Sequence, residues 1–363
     1  MGKTFQRCDM YDCFRPGKTW YDTDGKRIQA HGGSVLYADG TFFWYGENKE
    51  GITGRATGTP CPLWHRGVRL YTSHDLYNWT DCGVIMLSDD PANPFYPAHI
   101  MDRPHIVFNR KTGLFVLWAK TGRGGFEKAG FSVCVSDDIR KPFRFLHEIT
   151  FPPYHAGDFD LVEQDGRCYI VYENPHSCMV CQTLSDDYTS LTGEVSEHLH
   201  AKCPPYVREA PAFFERGGRK FLLTSGTTGY YPNPSRIDEI GSMHGAWKTL
   251  GNACRRDRAR NSFHAQFSSV FRHPHRKDLY IALGDRWLTD LPPDLPDMEK
   301  TFLGLFDESA EKIATADELQ FFSDENTGEA DYVWLPVRFR RDGTPFIEWK
   351  TRWTVEEFTK NEH

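Results

Sequence analysis

Gly33-Ser34-Val35-Leu36-Tyr37 runs into Asp39-Gly40 and continues as Thr41-Phe42-Phe43-Trp44-Tyr45. Two apolar and aromatic runs flanking an Asp-Gly pair are the strongest short-range signal for an antiparallel hairpin. The pattern returns. His105-Ile106-Val107-Phe108 turns at Lys111-Thr112-Gly113 into Leu114-Phe115-Val116-Leu117-Trp118, and Phe159-Asp160-Leu161-Val162 turns at Asp165-Gly166 into Cys168-Tyr169-Ile170-Val171-Tyr172. Ala212-Phe213-Phe214 passes Gly217-Gly218 to reach Phe221-Leu222-Leu223, and Ser269-Val270-Phe271 passes Pro274 to Asp278 before Leu279-Tyr280-Ile281-Ala282.

Recurrence at roughly fifty to seventy residues matches a four-stranded blade whose inner strands are these hairpins. Traces of outer strands follow at Leu70 to Leu76 and at Phe131 to Asp138. The expected fold is all-β, a five-bladed β-propeller in one domain over residues 1–363, with 1–27 leading in and 330–363 closing the ring. A further pair, Val333 to Val337 and Pro345 to Trp349, either completes the last blade or closes the ring. Helical periodicity is confined to Ile313 to Phe322, enough for one short helix. Pro292 to Lys300 reads as a surface loop, and Glu50 to Arg66 as a second long loop of the kind that shapes a substrate site. A β-sandwich built from the same hairpins is the competing architecture.

The formal net charge is −7, which leaves no basic footprint for nucleic acid or an anionic membrane. No stretch approaches the roughly 20 apolar residues that span a bilayer. Met1 to Phe14 is polar and lacks the basic start and apolar run of a signal peptide, so a cytoplasmic location is expected unless an export signal was removed. Aromatic residues make up 14% of the chain, a supply suited to sheet packing and to stacking on sugar rings. Of the ten cysteines, Cys178 and Cys181 form a single CxxC with no second pair to complete a zinc site, and reduced thiols on a strand are expected.

In a propeller the inner strands of all blades converge on the axis, so chemistry there needs about one side chain per blade. Acidic residues recur in that position. Glu47 ends the first hairpin, Asp102-Arg103-Pro104 opens the second, Gly157-Asp158 the third and Arg208-Glu209-Ala210-Pro211 the fourth, while the fifth offers His264-Ala265-Gln266. Glycoside hydrolysis needs one carboxylic acid to protonate the leaving oxygen and a second group to activate water or attack. A general acid holds its proton near neutrality only if its pKa is raised, and a second carboxylate does that. Glu209 beside Asp158 supplies such a pair.

Ile28 to Gly33, Trp44 to Lys49, Asp102-Arg103-Pro104 with Phe108-Asn109, and Arg208 to Ala212 together resemble glycoside hydrolase family 43, in its exo-β-1,3-galactanase type branch. Thr224 to Gly229, Gly284-Asp285-Arg286-Trp287 and Tyr332 to Pro336 extend the resemblance in order. It implies an inverting mechanism, with Glu209 as general acid and Asp158 tuning its pKa. It places Glu47, Asp102 and Thr227 on the terminal sugar. The stretch Gln29-Ala30-His31-Gly32 lacks the Asp base found in most of the family. In the galactanase branch a glutamine matching Gln266 is thought to handle the attacking water. A neutral amide is a poor base, so Gln266 would orient water or act through an unusual tautomer, with Glu47 or His31 as alternative proton acceptors. Asp102 stands where the branch commonly has Glu, a shorter arm that bears on sugar choice.

His31 lines the pocket or is a satisfied core histidine, and Trp287 stacks on a sugar or packs between blades. His264 is a candidate for a central water or metal, but no oxygen-ligand cluster surrounds it, so no metal and no cofactor is expected. The expected partner is an oligosaccharide releasing a terminal sugar, galactose first, as from arabinogalactan side chains. An α-arabinofuranosidase, β-xylosidase or β-galactofuranosidase on the same fold, and a non-catalytic sugar-binding propeller, are the rivals. Asn78-Trp79-Thr80 fits a glycosylation sequon.

Overall fold

A computed structural model describes residues 10–51, 63–123, 129–291, 297–313 and 326–361. It has five antiparallel blades, each built from consecutive strands in the order of the chain. The first two strands of each blade are the five expected hairpins: His31–Ala38 with Thr41–Glu47, Ile100–Asn109 with Leu114–Gly122, Phe159–Gln164 with Arg167–Asn174, Arg208–Arg216 with Arg219–Gly226, and Gln266–Arg272 with Tyr280–Arg286. Asp331–Phe339 and Pro345–Glu348 are the third and fourth strands of blade five, so the further pair of the sequence completes that blade. The two-residue strand Cys254–Arg255 adds in parallel against its edge.

Why these strands read as near-continuous apolar runs follows from the architecture. A blade has neighbours on both faces, so both sets of alternating side chains are buried. Thr41–Glu47, Gly130–Ser136 and Cys178–Leu184 are buried along their whole length, whereas the outermost strands Thr80–Met86 and Leu191–His198 are largely exposed or half-buried. The core divides accordingly into five clusters, one for each interface between adjacent blades. Trp44 points into the interface of blades one and five, and its neighbours Phe43 and Tyr45 into that of blades one and two. A sandwich has one inter-sheet core. Five interfaces close a ring.

Closure draws on both ends of the chain. Phe14 and Trp353 exchange backbone hydrogen bonds of 2.9 and 3.2 Å and stack with ring centroids 4.2 Å apart, over Trp334 and Tyr77. Asn78, the sequon residue, caps this region, since its amide nitrogen donates to the Tyr11 carbonyl and to Asp75. Cys178 and Cys181 lie three residues apart on one strand and so face opposite neighbours, one in the blade two–three core and the other in the blade three–four core. All eight cysteines among the described residues are free thiols.

The α-helix among the described residues is Met298–Phe306, so the Pro292 to Lys300 loop is shorter than expected; its 292–296 portion lies outside the described residues. Asp297 caps the helix by accepting from the Lys300 N–H, and Met298 and Phe302, four apart, bury one face. Ile313 is not helical, and 314–322 of the expected helix lie outside the described residues, as do 52–62 of the Glu50 to Arg66 loop.

Candidate active site

Each blade brings two side chains to the same end of the channel, one from the start of its first strand and one from the end of its second. His31 pairs with Glu47, Asp102 with Lys120, Glu209 with Ser225 and Gln266 with Asp285. In blade three the Glu173 N–H donates to the Asp158 carbonyl at 2.9 Å. The antiparallel register therefore converts five hairpins into a ring of paired polar groups.

Three of these first strands carry a β-bulge just past the functional residue, between His31 and Ser34, Asp102 and His105, and Glu209 and Ala212. The bulged residues Gly32, Arg103 and Ala210 all have positive φ, at 59°, 52° and 47°. A bulge re-aims the side chain beside it. Pro104 and Pro211 follow directly, and a residue without an N–H is tolerated where the ladder is already interrupted. At Gly32 a side chain would have to displace the Glu47 carboxylate, because a Cβ would lie 2.5 Å from Oε1 of Glu47.

The surroundings push the carboxyls in opposite directions. Asp158 is buried, which opposes ionisation, but the Arg103 guanidinium 2.8 Å away and the Lys120 ammonium at 3.4 Å outweigh burial and hold it below its ordinary pKa. Asp102 is likewise buried, yet Lys120 at 3.1 Å, Lys49 at 3.8 Å and the Trp64 indole N–H at 2.7 Å pull it to about 2. Glu209 goes the other way: burial and the negative charges of Asp158 and Glu173 raise it well above the carboxylate range. Glu173 is pushed to about 7 by burial and by Asp158. Glu47 is raised by burial, although Lys49 lies 3.0 Å away and the Arg103 N–H donates to it at 2.9 Å. Neighbouring carboxyls whose surroundings push their pKa values apart can divide acid and base roles.

Gln266 bonds Glu209 and Ser225 through its amide nitrogen, both at 2.9 Å, and accepts from Arg103 and from the Trp287 indole through its oxygen. Trp287 is 4% exposed and packed among His31, Tyr230 and Arg103, so it serves as a buried donor and a packing ring. His31 has no exposed surface. Its Nδ1 meets Asp285 at 3.0 Å, its Nε2 lies 3.4 Å from the Tyr332 hydroxyl, and the two rings stack. In this arrangement His31 supports Asp285. The Thr227 hydroxyl donates to the Val207 carbonyl at 3.0 Å, two residues beyond Ser225 at the end of its strand. His264 has a buried Nε2 without a hydrogen-bond partner; among the described residues the one grouping of Cys, His and acid side chains with metal-ligand spacing is Cys178, Glu197 and His200, which does not include it.

Arg103, Lys120, Glu173, Lys49, Trp64, Ser225 and Asp285 were not singled out from the sequence. A signal existed for four of them. Once Glu47 is recognised as the last residue of a second strand, register predicts Lys120, Glu173, Ser225 and Asp285 at the same place in the other blades.

The profile of the family described as "Glycosyl hydrolases family 43" matches residues 28–283. The chain belongs to this family. No curated protein matches the chain. Among solved family 43 structures, the β-1,3-galactosidase BT0265 is 27% identical with a TM-score of 0.77, over 96% of this chain and 64% of that one. This family 43 chain thus spans less than two thirds of the length of that relative. The β-1,3-galactosidase BT3683, solved with galactodeoxynojirimycin, is 27% identical with a TM-score of 0.74, over 94% of this chain and 100% of that one. An exo-β-1,3-galactanase from Phanerochaete chrysosporium, solved with β-1,3-galactotriose, shares the fold at 22% identity and a TM-score of 0.75, over 96% of this chain and 70% of that one.

Proposed function

We propose that the protein is an inverting, exo-acting glycoside hydrolase that releases terminal galactose from β-1,3-linked galacto-oligosaccharides such as those of arabinogalactan side chains. The observation that carries this reading is the pairing of Glu209, which burial and nearby acids raise well above the carboxylate range, with Asp158, which Arg103 and Lys120 hold below its ordinary pKa. Glu209 gives its proton to the glycosidic oxygen as the bond from C1 to that oxygen breaks. Water forms the new bond to C1 from the opposite face and gives up a proton to Glu47, whose burial raises its proton affinity. The sugar named here follows the two β-1,3-galactosidases to which the chain is 27% identical.

The test is release of galactose from β-1,3-galactobiose and from arabinogalactan oligosaccharides, with proton NMR of the first-formed anomer. α-Galactose as the initial product supports inversion; β-galactose as the initial product, or release only of arabinose or xylose from the matching aryl glycosides, refutes the reading.

A further inference from the structure

Gln266 sits at the centre of the acid site, and its two ends can be told apart by chemistry. Amide oxygen and nitrogen are distinguished by their hydrogen-bond partners. One end of the Gln266 amide faces the Arg103 guanidinium at 2.5 Å and the Trp287 indole N–H at 2.9 Å, and both groups can only donate. That end is the oxygen. The other end, 2.9 Å from Oε1 of Glu209 and 2.9 Å from the Ser225 hydroxyl, is therefore the NH2. Arg103 is fixed in turn by its 2.8 Å ion pair with Asp158 and by its position on the bulge, so the amide has no freedom to turn over.

Two consequences follow. The amide oxygen, which would have to face an attacking water to orient it, already accepts from two donors, one of them cationic. A protonated carboxyl has one oxygen that bears hydrogen and one that accepts. A donor committed to Oε1 makes that oxygen the acceptor and leaves the proton on Oε2.

Resting on the proposal that Glu209 is the general acid, we infer that Gln266 acts on this acid and not on water: it is a positioning residue that places the transferable proton of Glu209 on Oε2. During turnover that proton passes from Oε2 to the departing oxygen, and the Glu209 carboxylate left behind keeps the Gln266 N–H as a charge-assisted donor. Gln266 itself gains and loses nothing.

The experiment compares two substrates. β-1,3-Galactobiose has a poor leaving group and needs the acid; 2,4-dinitrophenyl β-galactopyranoside does not, whereas both need water delivered in the same step. Gln266→Met, similar in length but without hydrogen bonds, is expected to lose roughly tenfold to a hundredfold in kcat/KM on galactobiose and under about threefold on the dinitrophenyl galactoside, in the range typical for a positioned acid. Equal losses on both substrates overturn the inference. Gln266→Glu supplies an independent arm, because a carboxylate is a far better base than an amide. A water-handling residue would keep or gain activity on this change. The inference expects a loss of at least about tenfold on galactobiose, since Glu209 loses its donor and gains a like charge; retained or raised activity overturns it.

Glu209→Gln, run alongside, separates the role of Gln266 from that of Glu209. If that variant shows the leaving-group-dependent loss and Gln266→Met does not, the assignment of Gln266 fails alone. If Glu209→Gln shows no such dependence, or the wild-type enzyme cleaves neither substrate, the proposed function fails with it. Far-UV circular dichroism and thermal unfolding establish that each variant is folded before its rates are compared.

Discussion

Replacing Asp158 by Asn removes one negative charge from the neighbourhood of Glu209 and leaves Arg103 and Lys120 without their shared partner. Both changes favour the ionised form of Glu209. For unit charges on the order of 5 Å apart at an effective dielectric constant of about 20, the lost repulsion is roughly 3 kcal/mol. That corresponds to a fall of about 2 pH units in the pKa of Glu209. The acid works only while protonated, so activity disappears as pH rises through that pKa. The alkaline limb of kcat/KM on galactobiose should therefore move down by about 2 units in Asp158→Asn, while the dinitrophenyl galactoside, indifferent to the acid, keeps its profile. The same change strips a buried carboxylate from two cations and should cost about 3–5 kcal/mol of stability, read as a lower midpoint in urea unfolding. A limb that stays in place, or moves upward, would refute the claim that Asp158 sets the proton affinity of Glu209.

Asp102, held at about 2, stabilises the fold above the ordinary carboxylate pKa near 4, and this contribution is lost as pH falls through about 2. Asp102→Asn should lose about 2 kcal/mol at pH 7 and show a shallower acid decline than the wild type, measured by chemical denaturation from pH 6 to 2. Gly32→Ala pushes a methyl group against Oε1 of Glu47 and strains a positive φ, so it should destabilise by at least about 2 kcal/mol and lower kcat/KM. Trp353→Ala opens the stack on Phe14 that closes the ring and should cost about 3–5 kcal/mol, with kcat at low temperature retained because its partners Phe14, Trp334 and Phe358 are not residues of the acid site. Differential scanning calorimetry and initial rates check both.

The hairpins were legible because Asp39-Gly40, Gly113, Asp165-Gly166 and Gly217-Gly218 sit between runs of apolar residues, and local turn chemistry sets register without long-range help. Asp102, Asp158, Glu209 and Gln266 were legible because each stands at the start of such a hairpin. The cations were not. Arg103 follows Asp102 directly in the chain, but the bulge after Asp102 gives it a separate direction, and bulges come from tertiary pairing that the sequence announces only through Pro104. Lys120 and Glu173 lie near the ends of strands that look, in sequence, like any solvated strand edge. The roles of His31 and Trp287 depended on what covers them, which is decided by Tyr332, Asp285 and Tyr230 from distant parts of the chain. The helix at Met298 was hidden by the prolines before it, while Met298 and Phe302 carried the signal four residues apart.

The proposed mechanism depends on two neighbouring carboxyls in opposite charge states, and neutron diffraction from a deuterated crystal at pH 7 sees this without kinetics. A deuteron on Oε2 of Glu209 with none on Asp158 is the expected result. A deuteron on Asp158 and a bare Glu209 would contradict the mechanism at its root.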